Sequence, residues 1–97
     1  MMKIVISEPV PFFSDGDEDS FFHWLKSIDA VKDFAGSPRG LEVELEDPVE
    51  DVSLGELIGL LTRYGLDTKC LRRLRTPQNE AWFADEQMYW HKSVFKD

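Results

Sequence analysis

The chain has a single cysteine, only two histidines, and no apolar run long enough to span a membrane. Cys70 by itself excludes an internal disulfide and suits a reducing compartment. A zinc site takes four ligands of suitable softness, and one thiol with His23 and His91 far apart supplies no such set. No metal and no cofactor are expected. The longest apolar stretch, Leu57–Leu61, falls well short of the ~18–20 residues of a membrane span. Met1–Ser7 is too short an apolar run for a secretory signal, with Glu8 and Pro9 following at once. A cytoplasmic protein with no membrane contact is the expectation. Basic residues are also scarce, 11 against 19 acidic, for a net charge of −8. This balance argues against direct binding to nucleic acid or anionic lipid, both of which need Lys and Arg to displace counterions from phosphate. It favours basic partners instead.

What is present suffices for one packed core. Of the 97 residues, 42% are apolar and 12% aromatic, well above a disordered composition, and a second core could not be closed with so few. Acid and base are segregated. Residues 1–56 hold 14 Asp/Glu against 4 Lys/Arg, whereas residues 57–97 hold 5 against 7.

Periodicity predicts the elements. Met2–Ser7 reads as a strand with Ile4 and Ile6 on one face and Val5 on the other, ended by Pro9 and Pro11, which cannot donate to a ladder. Ser14–Ser20 is an acidic helix start, stabilised by free N–H groups and the macrodipole, and Phe21, Leu25 and Ile28 follow at helical spacing to an end near Ile28. Ala30–Ala35 and Leu41–Glu46 alternate as strands around a turn at Gly36–Gly40, predicting a hairpin stopped by Asp47-Pro48. Ser53 and Glu56 have the spacing of a capping box; Leu54, Leu57, Ile58, Leu61 and Tyr64 make the buried stripe of the helix that follows, and Gly65 takes its C′ position. Leu66–Leu74 suits helix or strand locally. The preceding β-α-β-β-α order invites a closing strand, so it is read as one. Thr76-Pro77 open a short helix to about Phe83, and a second short helical piece falls within Asp85–Phe95. The expected architecture is α+β: a single domain over residues 1–97 with a ferredoxin-like, split βαβ sheet and two helices. Residues 1–75 form the core, and an aromatic tail, 76–97, packs on it over the bare sheet face.

No catalytic constellation accompanies this pattern, and no enzyme activity is expected. Cys70 lies between apolar and basic residues, where a buried structural thiol is the ordinary outcome, so a Cys70–His23 or Cys70–His91 nucleophilic pair is set aside. Asp15, Asp17 and Asp19 match the first three ligands of a calcium loop, but the sixth position is Ser20 rather than Gly and the twelfth is Lys26 rather than Glu. The candidate site is the acidic run. Glu42, Glu44 and Glu46 present carboxylates on one strand face, ~6.8 Å apart from the strand rise. Asp47, Glu50 and Asp51 continue it, and residues 42–56 carry seven acids and no base. Such a row suits Lys and Arg on a protein partner, and its pitch also approximates that of nucleic-acid phosphates. Arg63, Lys69, Arg72, Arg73 and Arg75 form a compensating basic cluster, expected to pair with the chain's own acids or with a second copy in a homodimer. Trp82, Phe83, Tyr89, Trp90 and Phe95 are expected in the core, with a partner anchor as the other reading.

The ending, Thr76-Pro77-Gln78-Asn79-Glu80-Ala81-Trp82-Phe83 with Tyr89-Trp90-His91-Lys92 and Val94-Phe95, looks like that of small bacterial proteins. In size, acidity and α+β character the chain resembles the immunity proteins of bacterial toxin systems. That resemblance implies a cytoplasmic inhibitor that covers a basic toxin domain, often a nuclease, using the carboxylates Glu42, Glu44, Glu46, Asp47, Glu50 and Asp51. A nucleic-acid mimic that inhibits a DNA-binding complex would use the same face. A small ligand-binding or enzymatic ferredoxin-like domain would instead depend on His23, His91 and Cys70.

Overall fold

Three alternating segments form one antiparallel sheet. The computed structural model describes residues 2–7 and 12–96, so the expected strand breakers Pro9 and Pro11 lie outside the described residues. Strand β1 (Met2–Ile6) pairs with β3 (Gly40–Leu45), which pairs on its other side with β2 (Val31–Ser37), giving the order β1-β3-β2. Both outer strands run antiparallel to β3 and hence parallel to each other. The connection between them is α1 (Asp15–Ser27), so a β-α-β unit is split by the intervening β3. The hairpin turn is tighter than expected: Gly36 and Ser37 belong to β2, Ser37 pairs with Gly40, and only Pro38-Arg39 lie between them. Gly40 adopts φ 133°, a region disfavoured for residues with a Cβ.

The sheet's two faces differ as the alternation requires. Ile4, Ile6, Leu41, Val43 and Leu45 are buried beneath the helices, while Lys3, Val5, Glu42 and Glu44 occupy the opposite face. A bulge at Lys32, between Val31 and Asp33, resets the phase of β2. Val31 and Phe34, three residues apart, thus share the inner face, while Asp33 and Ala35 turn outward opposite Glu44 and Glu42. Phe34 then stacks on Phe22 of α1, with centroids 5.5 Å apart.

Helix α1 begins as the sequence predicts. Ser14 is extended and its Oγ accepts from the Asp17 N–H at 3.2 Å, while Asp17 accepts from the Phe13 N–H. Helix α2 (Asp51–Arg63) differs at its head. It starts before Ser53, with Glu50 at the N-cap and no side-chain cap bond. The expected capping box does not form because both its members serve tertiary contacts. Ser53 Oγ accepts from the buried Ala30 N–H at 3.2 Å, and Glu56 Oε1 accepts from Trp24 Nε1 of α1 at 2.9 Å. Leu54, Leu57, Ile58 and Leu61 are buried as expected, Tyr64 is half-buried, and Leu60 is enclosed as well. Gly65 closes the helix at φ 68°.

The expected closing strand is absent. Lys69–Leu74 form a 3-10 helix that packs beside β1, with Leu71 and Leu74, one turn apart, both buried. The tail forms two short helices, α3 (Glu80–Phe83) and α4 (His91–Phe95). Helix α3 starts later than the expected Thr76-Pro77, with Asn79 at its N-cap and no side-chain cap bond. Thr76 opens the preceding turn instead, its Oγ1 accepting from the Asn79 N–H while Asn79 Oδ1 accepts from the Thr76 N–H. Phe83 and Val94 are fully buried and join the core, while Trp82 and Trp90 are half-buried and Tyr89 is exposed. Helix α4 lies against the 3-10 helix. The outer sheet face is left open instead of being covered by the tail, and Lys3, Asp33 and Ala35 are solvent-exposed there.

Candidate functional site

The six predicted carboxylates fall into three neighbouring groups. Glu42 and Glu44 stand on the open sheet face, both half-buried, with Asp33 opposite Glu44. Lys3 is the base within this group, its Nζ 3.2 Å from Glu42 Oε1, and Arg39 Nη2 approaches Glu42 Oε2 at 3.9 Å. The hydrogen bond from Lys3 holds the Glu42 carboxyl below its ordinary value of 4.5, with help from the Ser37 hydroxyl and the two positive charges.

Glu46, Asp47 and Glu50 form the second group and converge with Asp29 around a concavity of about 370 Å³, whose remaining lining is Ala30, Pro48 and Ser53. Its walls come from the α1–β2 turn and the β3–α2 turn. The two are joined through Ala30, whose N–H donates to Ser53 Oγ and whose carbonyl accepts from the Glu46 N–H at 2.8 Å. No basic side chain lines this concavity, and no group of three His, Cys, Asp or Glu among the described residues has metal-binding geometry. Asp51 belongs to a third group on the outward side of α2, beside Val52, Gly55, Glu56 and Trp82.

Asp29 and Asp33 escaped the sequence reading. Asp29 precedes β2 and Asp33 lies within it, both outside the acidic run, and no local spacing links them to it; only the strand pairing and the bulge bring them alongside Glu46 and Glu44. The expected pairing with the chain's own acids holds for Arg75, and other members of the basic cluster reach backbone carbonyls of the tail. Lys69 Nζ donates to the Ser93 carbonyl and Arg72 Nε to the Val94 carbonyl. Arg75 lies over the Phe95 ring and pairs with Glu80. Three of the five bases thus tie the tail to the 3-10 helix, two of them through the last carbonyls of α4, where positive charge also complements the helix dipole. Arg63 and Arg73 are exposed.

The reactive side chains sit on three separate elements, Cys70 on the 3-10 helix, His23 on α1 and His91 on α4. Burial pushes the Cys70 thiol up to about 12, the nearby Asp67 charge adding to the effect, and its hydrogen bond goes to the Asp67 carbonyl at 3.8 Å. His23 is exposed on α1, and His91 leans on Phe95 at the start of α4. A thiol held protonated in this way is not an activated nucleophile. Asp15, Asp17 and Asp19 lie in the first turns of α1, as a solvated helix start requires. No helix among the described residues is long and apolar enough to cross a membrane. No family model, curated protein or solved structure matches this chain.

Proposed function

We propose that this chain is a cytoplasmic protein-binding inhibitor of the immunity type, neutralising a basic toxin domain through the acidic surface that runs from the open sheet face to the head of α2. The observation that carries this reading is the concavity in which Asp29, Glu46, Asp47 and Glu50 meet without a basic side chain in the lining. Converging carboxylates of this kind suit Lys and Arg side chains presented on a folded partner, and they steer its approach. Glu42, Glu44 and Asp33 extend the same negative field along an uncovered sheet. The order β1-β3-β2 with parallel outer strands supports reading the scaffold as a ferredoxin-like sheet without its fourth strand. A nucleic-acid mimic is less well supported, since Lys3 and Arg39 interrupt the row of charge at Glu42.

Charge reversal by Glu44→Lys together with Glu46→Lys tests the reading. Steering falls as the Debye length shrinks from ~10 Å at 0.1 M salt to ~3 Å at 1 M. The variant should keep the fold and associate at least ~10-fold more slowly at low salt with the toxin domain captured from the native host, the difference narrowing at high salt. Equal association rates for the two proteins would overturn the proposal.

A further inference from the structure

Helix α2 turns an unusual face to solvent. Val52 is 77% exposed there, and the next outward position is Gly55, where an added Cβ would meet nothing within 4 Å. The helix backbone is therefore bare at that point, and it forms the floor of a shallow, widely open depression bordered by Trp82 from α3. Asp51 and Glu56 stand at the rim. Glu56 is held in place by Trp24, which takes only its Oε1 and leaves the second oxygen free to accept. An aromatic wall, an apolar floor and two carboxylates thus meet where a side chain of this helix would ordinarily stand.

We infer that this depression is a docking site for a basic amphipathic segment of a protein partner, one large apolar side chain seated over Gly55 between Val52 and Trp82 and flanked by Lys or Arg that reach Asp51 and Glu56. The inference rests on the protein-binding reading above and adds the chemistry of the docked segment. Charge complementarity selects this occupant. An acidic segment or a nucleic acid would set like charges against Asp51 and Glu56, and a second copy docking through the same face would bring its own Asp51 and Glu56 against them. A purely polar basic segment would leave Val52 and the indole wall unused. Apolar anchors in pockets, more than rim charges, set the dissociation rate of such contacts.

The test uses the full 15N-labelled chain and three synthetic peptides of equal length: one of Leu and Arg in helical amphipathic register, the same with Leu replaced by Ser, and the same with Arg replaced by Glu. The Leu/Arg peptide should shift the Gly55 amide and the Trp82 indole N–H resonances saturably. The latter is a sensitive reporter because Trp82 Nε1 is buried with no hydrogen-bond acceptor. The Ser peptide should bind at least ~10-fold more weakly, the worth of seating one large apolar side chain, and the Glu peptide should not bind. Gly55→Leu fills the floor while replacing a poor helix former, so it should bind the Leu/Arg peptide at least ~10-fold more weakly with no loss of thermal stability. If that variant misfolds, Val52→Asp, at an exposed position, serves in its place. Equal binding of the Leu and Ser peptides, absence of a saturable shift at Gly55 and Trp82, or unchanged binding to the folded variant would each overturn the inference. The double reversal at Glu44 and Glu46 lies outside this depression and should leave peptide binding intact. Slower partner association in that variant, alongside a silent Gly55→Leu, would sink the docking site and spare the acidic surface.

Discussion

Leu60→Ala tests whether α2 is enclosed more widely than an ordinary amphipathic helix. Leu60 lies outside the apolar stripe that the spacing predicts, yet it is 0% exposed and belongs to the same cluster as Leu71, Leu74, Phe83 and Val94. Truncating a fully buried leucine removes its transfer free energy and leaves a cavity, together costing ~2–5 kcal/mol. Leu and Ala differ little in helix propensity, so that term offsets only a few tenths of a kcal/mol. With ~3 kcal/mol as a central figure and a urea m-value of ~1.5 kcal/mol/M, the midpoint should fall by ~2 M with an unchanged slope. The melting temperature should drop by ~12–24 °C, at ~4–8 °C per kcal/mol for a domain of this size. Such a loss is a large part of the ~5–15 kcal/mol that holds a typical domain together. Val52→Ala, on the exposed side of the same helix, is the control and should stay within ~0.5 kcal/mol of the parent. Urea titrations of the three proteins, followed by far-UV circular dichroism, give the comparison. A Leu60→Ala cost below ~1 kcal/mol would refute the reasoning, since it would mean that nothing encloses that side of α2.

Glycines within and just beyond α2 should respond with opposite signs in one thermal scan: Gly65→Ala should cost ~1–2 kcal/mol, because φ 68° sets a Cβ against the following carbonyl, while Gly55→Ala should gain up to ~1 kcal/mol. Glu42, whose carboxyl is held below its ordinary value by Lys3, contributes stability that is present above the unfolded value of 4.5 and lost as pH falls through the folded value. In a carboxyl-detected NMR titration, Lys3→Met should move the Glu42 midpoint upward, and an unmoved midpoint would show that the Lys3 contact does not form in solution. Cys70, its thiol pushed up to about 12, should react with iodoacetamide at pH 8 at least ~10-fold more slowly in the folded protein than in urea, even allowing for the greater nucleophilicity of a more basic thiolate. Equal rates would place the sulfur in solvent.

Much of the frame follows from neighbours close in sequence. Alternation at Ile4 and Ile6 and at Leu41, Val43 and Leu45 commits both segments to strands with one apolar face, because successive strand residues point to opposite sides. Helical spacing at Phe21 and Leu25, and at Leu54, Leu57, Ile58 and Leu61, commits the two long helices, and Ser14 and Gly65 end them through bonds and torsions local to one turn. Only tertiary structure decided the rest. Leu66–Leu74 carries both patterns in too few residues, and space beside β1 settled it as a 3-10 helix that buries Leu71 and Leu74. Ser53 and Glu56 have the spacing of a cap, but the unpaired Ala30 N–H and the Trp24 indole, distant in sequence, took their oxygens. The acidic run was legible as charge, whereas its shape was not. Asp29 reaches Glu46, Asp47 and Glu50 because the two turns are joined at Ala30, and Asp33 faces Glu44 because a bulge at Lys32 shifts β2 by one residue. Periodicity reports which side of its own element a residue takes. Pairing register and the competition of distant donors for the same oxygen depend on where the elements meet, and no local spacing encodes that meeting.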